Sequence, residues 1–501
     1  MEDCILAIDI GTTSIKAVIL SAKGRIVAHR MVEHDLISLH PNWAEEDADL
    51  WWAHTQEILA GLAAGHGALM GRVKCIGVSG MVPTIVLLDG MGRVLRPSIQ
   101  QNDARAIEQI ARLSTELDQA ALFEKTGGRT NSQHILPRLL WVRDNEPHIW
   151  RDVRRVMGSY DFITCRLTGT PSLEINWAAE SGAFDIRRQV WLENQLARYG
   201  IDPAWLPPVR QSMDFVGTVR HDICDRYGLP RDVRVIAGSA DHVASTLAAG
   251  ITCPGDLLIK FGGAGDILYC TDRPATDRRL FFDYHVIPGL YLLNGCMAAS
   301  GSLIKWYVDG ILSAIGEPDI YSRLDAEASQ VPPASDGLII LPYFLGEKTP
   351  IFDPTARGVM FGLTLAHGRG HIFRAILEAV IYGFRHHLDI LRELGHPVRR
   401  IFATNGGAKS GIWCQIAADV LGEPITSFPA HPGSALGVGF LAGMAVGLFS
   451  KWEQIEDFLD ERVVFCPAPE NAAIYDRAYS AYRALYTQTQ PTLEIIQTLY
   501  N

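Results

Sequence analysis

Apolar runs and short polar turns alternate along the first thirty residues. CILAIDI (Cys4–Ile10), IKAVIL (Ile15–Leu20) and RIVAHR (Arg25–Arg30) are separated by GTTS and SAKG. This pattern predicts a three-stranded β-meander whose first corner is a Gly-Thr-Thr turn. The stretch HPNWAEEDADLWWAHTQEILAGLAA opens as a loop and becomes a helix, with Asp47 or Asp49 near its N-terminus. VKCIGVSG (Val73–Gly80) and TIVLLDGMGRVL (Thr84–Leu95) predict two further strands, the second running into a turn at Asp89-Gly90. Between residues 104 and 230 the pattern is mixed, with helical segments such as ARAIEQIARLSTEL and little that bears on function.

The opening pattern then returns. RVIAGS (Arg234–Ser239) predicts a strand and ADHVASTLAAG a helix after it; past Pro254-Gly255 come LLIKF, the corner GGAG, and DILYC. That strand, glycine corner and strand parallels CILAIDI, GTTS and IKAVIL about half a chain earlier, which reads as a duplication of one kind of domain. RRIFATN, GGAKSG, IWCQIAADVLG and PITSF follow in strand, turn, helix, strand order. The Gly/Ala-rich GSALGVGFLAGMAVGLF (Gly433–Phe449) is too short and too broken for a membrane span and predicts a buried helix.

A chain of 501 residues exceeds one ordinary core, so two large domains are expected, at 1–244 and 245–501. The net charge of −11, with Lys and Arg scattered, excludes a nucleic-acid groove, which requires a concentrated basic face. It leaves room for a locally bound phosphate, which backbone N–H groups and one cation can hold. The nine cysteines are dispersed, with no CxxC pair, against structural zinc or a disulfide framework. The N-terminus has no signal-peptide pattern, so a cytoplasmic protein with reduced thiols is expected.

Three glycine corners and two carboxylates carry the candidate chemistry. Asp9 ends an apolar strand; Gly11 lets a ligand approach the backbone, Thr12 and Thr13 supply donors, and Lys16 adds a charge. No Walker loop is present, but a carboxylate beside a hairpin corner suits Mg²⁺-phosphate. Gly262-Gly263-Ala264-Gly265 is a second corner whose N–H groups can face an anion. Gly406 to Gly411 precedes a helix and offers a ledge for a phosphate or a flat base. Each corner also reads as an ordinary turn, and Asp241 also reads as a helix N-cap beside a bystander His242.

Several motifs in order resemble the FGGY family of carbohydrate kinases, in its xylulokinase-like branch. AIDIGTTSIKAVIL resembles the family's first phosphate motif, and HPNWAEEDADLWW its GWxExDPxxWW stretch. GVSGMVPTIVLLD with QQNDAR resembles SGQMHGLVLLD with WNDTR, and AGSADHVASTLAAG resembles the GxxDxxAxxxGxG segment. PYFLGEKTPIFDPTARGVMFGLTLAHGRGHIFRAILEAV is similar to the family signature, and NGGAKSGIWCQIAADVLGEPI to GGGARSxxWxQxxADxxGxPV. The resemblance spans residues 4 to 445. It implies an α/β fold of two actin/hexokinase-like (ribonuclease H-like) domains with an interdomain cleft, the sugar and first phosphate turn on the N-terminal side and the nucleotide on the C-terminal side. It implies a phosphotransferase that moves the γ-phosphate of ATP to an alcohol group, with Mg²⁺ as cofactor. Asp241 matches the general base, and Asp9, with Asp241, the metal-directing carboxylates. Gly11, Thr12, Thr13 and Lys16 match the first phosphate turn, Gly262 and Gly263 the second, Gly301 and Lys305 a segment beside the phosphates, and Gly407, Ala408 and Gly411 the adenosine pocket.

The acceptor pocket departs from the pattern. The Met-His pair of xylulokinases, and the Arg-Glu pair of glycerol kinases, match Val82-Pro83, and the usual Trp matches Gln101. Asn102 and Asp103 are kept, and His242 follows Asp241 where Asn or Gln is familiar. Val82, Pro83, Gln101, Asn102, Asp103 and His242 are therefore the candidate substrate residues. A pentulose such as xylulose or ribulose leads as acceptor; a polyol such as erythritol or threitol, or a sugar acid such as gluconate, is the alternative. Another is a non-catalytic nucleotide-gated sugar-binding regulator, against which intact Asp9 and Asp241 weigh. Beyond the small-molecule substrate no nucleic-acid or membrane partner is expected, and a homodimer is allowed.

Overall fold

The computed structural model describes residues 2–429, 433–459 and 462–499. Its contacts divide the chain into two compact units, each interrupted in sequence. Unit 1 holds Met1–Thr252, Phe282–Leu290 and Pro432–Phe458; unit 2 holds Cys253–Phe281, Tyr291–His431 and Leu459–Asn501. A single boundary at 244/245 does not describe this division, because two later segments pack into unit 1.

In unit 1 the predicted meander forms as β1 (Cys4–Ile10), β2 (Ser14–Ser21) and β3 (Ile26–Glu33), and the next predicted strand as β4 (Val73–Gly80). The segment 84–95 folds back on itself, with a short strand Val86–Leu88 and Leu95 N–H donating to Leu87 O at 2.9 Å. Beyond it lie β5 (Phe215–Thr218), β6 (Arg234–Ile236) and β7 (Ser239–Ala240). The run RVIAGS is thus two strands. Gly238 separates them at φ +92°, and a Cβ there would lie 2.1 Å from Val78 O, so only glycine passes. The sheet order is β5-β6-β4-β1-β2-β3, with β7 also pairing β4. β1, β4 and β6 run parallel as neighbours, and the outer pairings are antiparallel.

The helix α1 (Ala48–Met70) has Asp47 as N-cap, its carboxylate accepting from Asp49 N–H, and α2 (Asp241–Ala248) follows β7. The Gly/Ala-rich helix Ser434–Ala445 is buried, as its composition predicts, and it packs on this unit. Its glycines explain how: a Cβ on Gly437 would lie 1.9 Å from Ala244 O of α2, and one on Gly77 of β4 would lie 2.6 Å from Val438 O. Small residues let the backbones approach to contact. Among the described residues no helix is long and apolar enough to cross a membrane.

Unit 2 repeats the plan. β8 (Asp256–Phe261) and β9 (Gly265–Thr271) are the second hairpin, joined by β10 (Tyr291–Met297), β11 (Arg400–Thr404), β12 (Ile425–Ser427) and β13 (Val463–Phe465). The order β10-β9-β8-β11-β12-β13 runs antiparallel, antiparallel, parallel, parallel, antiparallel, the same succession as β3-β2-β1-β4-β6-β5. The duplication read from two glycine corners therefore extends to whole sheets. Three helices matter below: α3 (Gly301–Trp306), α4 (Arg369–Glu393) and α5 (Gly411–Leu421). Leu257, Ile259, Ile376, Leu377, Trp413 and Ile416 belong to this unit's buried core.

Candidate active site

Strand register brings the two carboxylates of unit 1 together. Asp9 on β1 is opposite Ser79 on β4, and Ser79 and Gly80 are opposite Ser239 and Ala240 on β7. Asp9 and Asp241 therefore lie at one end of the sheet, on β1 and just past β7, the strands on either side of β4. Ser79 Oγ donates to Asp9 Oδ1 at 2.7 Å, and the Ser434 side chain, from the Gly/Ala-rich helix, also bonds to Asp9. Burial pushes the Asp9 carboxyl up to about 6; the Ser79 bond opposes this and the charge of Asp241 adds to it. Lys16, opposite Asp9 across the hairpin, offsets part of the shift. Two oxygen-donor carboxylates that burden each other electrostatically are a fitting place for a hard divalent cation such as Mg²⁺.

Asp241 is the first residue of α2, and Ala240 is its N-cap, so the cap reading of Asp241 shifts by one position. Its Oδ1 accepts from His242 N–H at 2.6 Å, and its side chain is 33% exposed, leaving oxygen surface for a reactant. The first corner is tight: Gly11 N–H donates to Ser14 O at 3.0 Å, and a Cβ on Gly11 would lie 3.1 Å from that oxygen. Thr12 Oγ1 is 2.9 Å from Met81 Sδ, and Thr13 O accepts from His34 N–H at 3.0 Å.

Among the acceptor candidates, Val82 and Pro83 are buried, Gln101 is partly exposed and Asn102 exposed. Asp103 differs from the expectation of a substrate contact. Its side chain is fully enclosed, with Oδ2 accepting from Ala44 N–H (2.7 Å) and Arg105 Nη2 (2.7 Å), and Oδ1 from Arg105 N–H (3.0 Å). Arg105 in turn lies 3.8 Å from the Trp43 ring centroid. A carboxylate with its oxygens so engaged shapes its loop rather than meeting a ligand. Arg138, missed in the sequence, is the loop's other support. From the helix Ile135–Asn145 it donates to Pro83 O, Gln101 O and Ser132 O, each at 2.8 Å.

Two further carboxylates gather at His242, neither singled out from sequence. His242 Nε2 is 3.3 Å from Asp283 Oδ2, and Nδ1 is 3.7 Å from Asp241 Oδ1. Glu180, His242 and Asp283 each offer an atom within 4.8 Å of the others. Burial alone would lower the His242 pKa, but Asp283, Asp241 and Glu180 hold it well above the ordinary histidine range. Burial, and then Asp283, push the Glu180 carboxyl up. The signal available in the sequence was one carboxylate inside the otherwise apolar run FFDYHVI.

In unit 2 the N-terminus of α3 holds the second corner. Gly301 N–H donates to Gly262 O (2.8 Å), and Ser300 and Ser302 N–H donate to Gly263 O (2.9 and 3.1 Å). A Cβ on Gly301 would lie 2.7 Å from Gly262 O, whereas one on Gly263 meets nothing within 4 Å. Buried Glu347 fixes the approach to α3 by accepting from Ala298 N–H at 2.7 Å. Lys305 is exposed and pairs with Asp309 at 2.9 Å. The GGAKSG ledge is a 3₁₀ turn, Gly406–Lys409, ending at Ser410, whose side chain caps α5 by accepting from Trp413 N–H. Gly407 lies against the Trp413 ring, where a Cβ would approach Cζ3 to 2.3 Å, and Trp413 stacks on Phe261 at 4.5 Å. The Ala408 methyl is buried in the core, so only its backbone can line a ligand site; Gly411 opens α5.

Two family models cover most of the chain: the N-terminal domain of the FGGY family of carbohydrate kinases matches residues 4–248, and its C-terminal domain residues 273–446. The chain belongs to this family. A solved structure described as xylulose kinase from Rhodospirillum rubrum superposes with a TM-score of 0.93 at 40% identity, covering 98% of this chain and 100% of that one. The xylulose kinase of Lactococcus lactis subsp. lactis is 29% identical over 489 residues, 97% of each chain. The gluconokinase of Bacillus subtilis is 26% identical, covering 95% of this chain and 94% of its own. As an FGGY kinase the protein has the two-domain actin/hexokinase-like fold and is a phosphotransferase with an alcohol group as acceptor, using ATP to phosphorylate a carbohydrate.

Proposed function

We propose that this FGGY kinase phosphorylates a pentulose such as xylulose or ribulose, with Asp241 as the general base. The carrying observation is the convergence of Asp9 and Asp241 on one sheet end, with Asp241 partly open at a helix N-terminus. Asp241 takes the proton of the acceptor hydroxyl, whose oxygen bonds to the γ-phosphorus of ATP as the bond to the β,γ-bridging oxygen breaks and ADP leaves. Asp9 and Asp241 would hold Mg²⁺, which would supply neutralisation of phosphate charge. Gly11, Thr12, Thr13 and Lys16 receive the transferred phosphate. Gly262, Gly263, Gly301 and Lys305 serve the nucleotide phosphates, and Gly407, Ala408 and Gly411 the adenosine. Asn102, Gln101 and His242 offer polar contacts to the sugar, while Val82 and Pro83 supply an apolar wall.

Full-length similarity to the two xylulose kinases supports a pentulose. Similarity to a gluconokinase supports a sugar acid as the second reading. The surroundings of His242 favour the first: its imidazole already faces the carboxylates of Asp241 and Asp283, so a carboxylate on the acceptor meets like charge there. A cytoplasmic location fits a kinase of this kind. Incubation with Mg-ATP and either xylulose, ribulose, erythritol or gluconate, read by mass spectrometry, tests the proposal. A pentulose phosphate is the expected product; gluconate phosphate without pentulose phosphate reverses the choice, and no phosphorylated sugar refutes the kinase reading.

A further inference from the structure

Asp241 and His242 are successive residues in the first turn of α2. A histidine beside a catalytic carboxylate contributes a defined contact only if its ring is held. Both ring nitrogens of His242 face carboxylates, Nδ1 toward Asp241 and Nε2 toward Asp283. Asp283 can hold the ring because its side chain is 3% exposed and its backbone is anchored from outside the site. The next residue, Tyr284, exchanges two bonds with Asn176, N–H to Oδ1 at 2.8 Å and Nδ2 to O at 3.0 Å. Asn176 is held by buried Glu174, which accepts its N–H at 2.9 Å and its Nδ2 at 3.1 Å, and also bonds Tyr160 and Ser212. His285 Nε2 meets Ile251 O at 3.0 Å just beyond α2. The segment Phe282–Leu290, distant in sequence, is thereby fixed in unit 1 with Asp283 against the imidazole. Glu180, at the end of the same stretch as Asn176, brings the second carboxylate.

We propose that Asp283 and Glu180 are positioning residues that clamp the His242 imidazole, Asp283 at Nε2, so that Nδ1, 3.7 Å from Asp241 Oδ1, is left to donate to the acceptor sugar beside the base. This rests on the kinase reading above. The clamp acts on acceptor recognition, through His242 alone. Asn or Gln at position 242 would not need it, since neither presents two ring nitrogens to two carboxylates.

The test is a double-mutant cycle on the full chain, with xylulose as the acceptor probe and ADP release as the readout. Asp283→Asn is expected to raise the KM for xylulose about tenfold, with kcat within about threefold and the KM for ATP within about twofold, as loss of a charge-assisted contact predicts. In a His242→Asn background the same substitution is expected to change the xylulose KM by less than about twofold. Equal effects in the two backgrounds, or an unchanged xylulose KM in Asp283→Asn, overturn the clamp. So does an ATP KM that rises in parallel, since that marks a general structural defect. If Asp283→Asn does not fold, Glu180→Gln carries the same cycle: about a threefold rise in the xylulose KM, absent in the His242→Asn background, supports the clamp and equal effects overturn it. A wild type that phosphorylates no sugar refutes the kinase reading instead, so the two failures are distinct.

Discussion

Replacing Gly301 by alanine should injure the nucleotide side of the reaction more than the fold. A Cβ at this position would lie 2.7 Å from Gly262 O and 3.4 Å from Gly262 C, so the corner or the N-terminus of α3 must retreat by about 0.7 Å to reach ordinary contact. That retreat lengthens the three bonds by which Ser300, Gly301 and Ser302 hold the corner carbonyls. Loss of one or two such bonds corresponds to about 1–3 kcal/mol. Misplacement on this scale in phosphoryl transfer, where catalysis is mostly positioning, is expected to lower kcat/KM for ATP about 10- to 100-fold. Steady-state kinetics with ATP varied at saturating pentulose measures it, with a thermal melt alongside. Gly263→Ala is the steric control for the melt: a Cβ there meets nothing within 4 Å, so the melting temperature should hold. A Gly301→Ala variant with the wild-type kcat/KM for ATP would refute the link from α3 to the phosphate corner.

Gly407→Ala drives a methyl into Trp413 and Phe261, and a melting-temperature drop matching about 1–3 kcal/mol, with a raised ATP KM, is expected; an unaltered melt would contradict the close packing. Arg138→Met strands the carbonyls of Pro83, Gln101 and Ser132, so it should destabilise by about 3 kcal/mol or more and raise the acceptor KM; unchanged kinetics would separate Arg138 from the pocket loops. Burial pushes Glu174 up to about 7 from 4.5, while its four donors hold the shift back. Below pH 4.5 the carboxyl is protonated in both states; between there and pH 7 the unfolded chain ionises first, so stability falls by about 3 kcal/mol as pH rises. Glu174→Gln should therefore gain on wild type in melting temperature between pH 4.5 and 7.5, and a difference independent of pH would refute the assignment.

Local pattern made the strands around both corners legible, because each is an apolar run bounded by residues that must turn. β1 and β4 match their expected spans residue for residue, and the second hairpin follows the first. What pattern cannot carry is membership. The Gly/Ala-rich helix is readable as buried, but its place on the unit 1 sheet depends on Gly437 meeting Ala244 and Gly77 meeting Val438, contacts between residues far apart in sequence. The site divides the same way. Asp9, Asp241 and the glycine corners lie in short motifs whose chemistry is local. Asp283, Glu180 and Arg138 enter by tertiary contact, and Asp103 reads as a ligand residue only until Arg105 and Ala44 are seen to enclose it.

The role of Asp241 is the centre of the account, and transfer of labelled γ-phosphate from ATP to a pentulose by wild type and Asp241→Asn tests it most directly. The labelled sugar phosphate should form with wild type and fall by about a thousandfold in Asp241→Asn, as loss of a general base predicts, with the ATP KM within about threefold. Transfer by Asp241→Asn at more than about a tenth of the wild-type rate would contradict it.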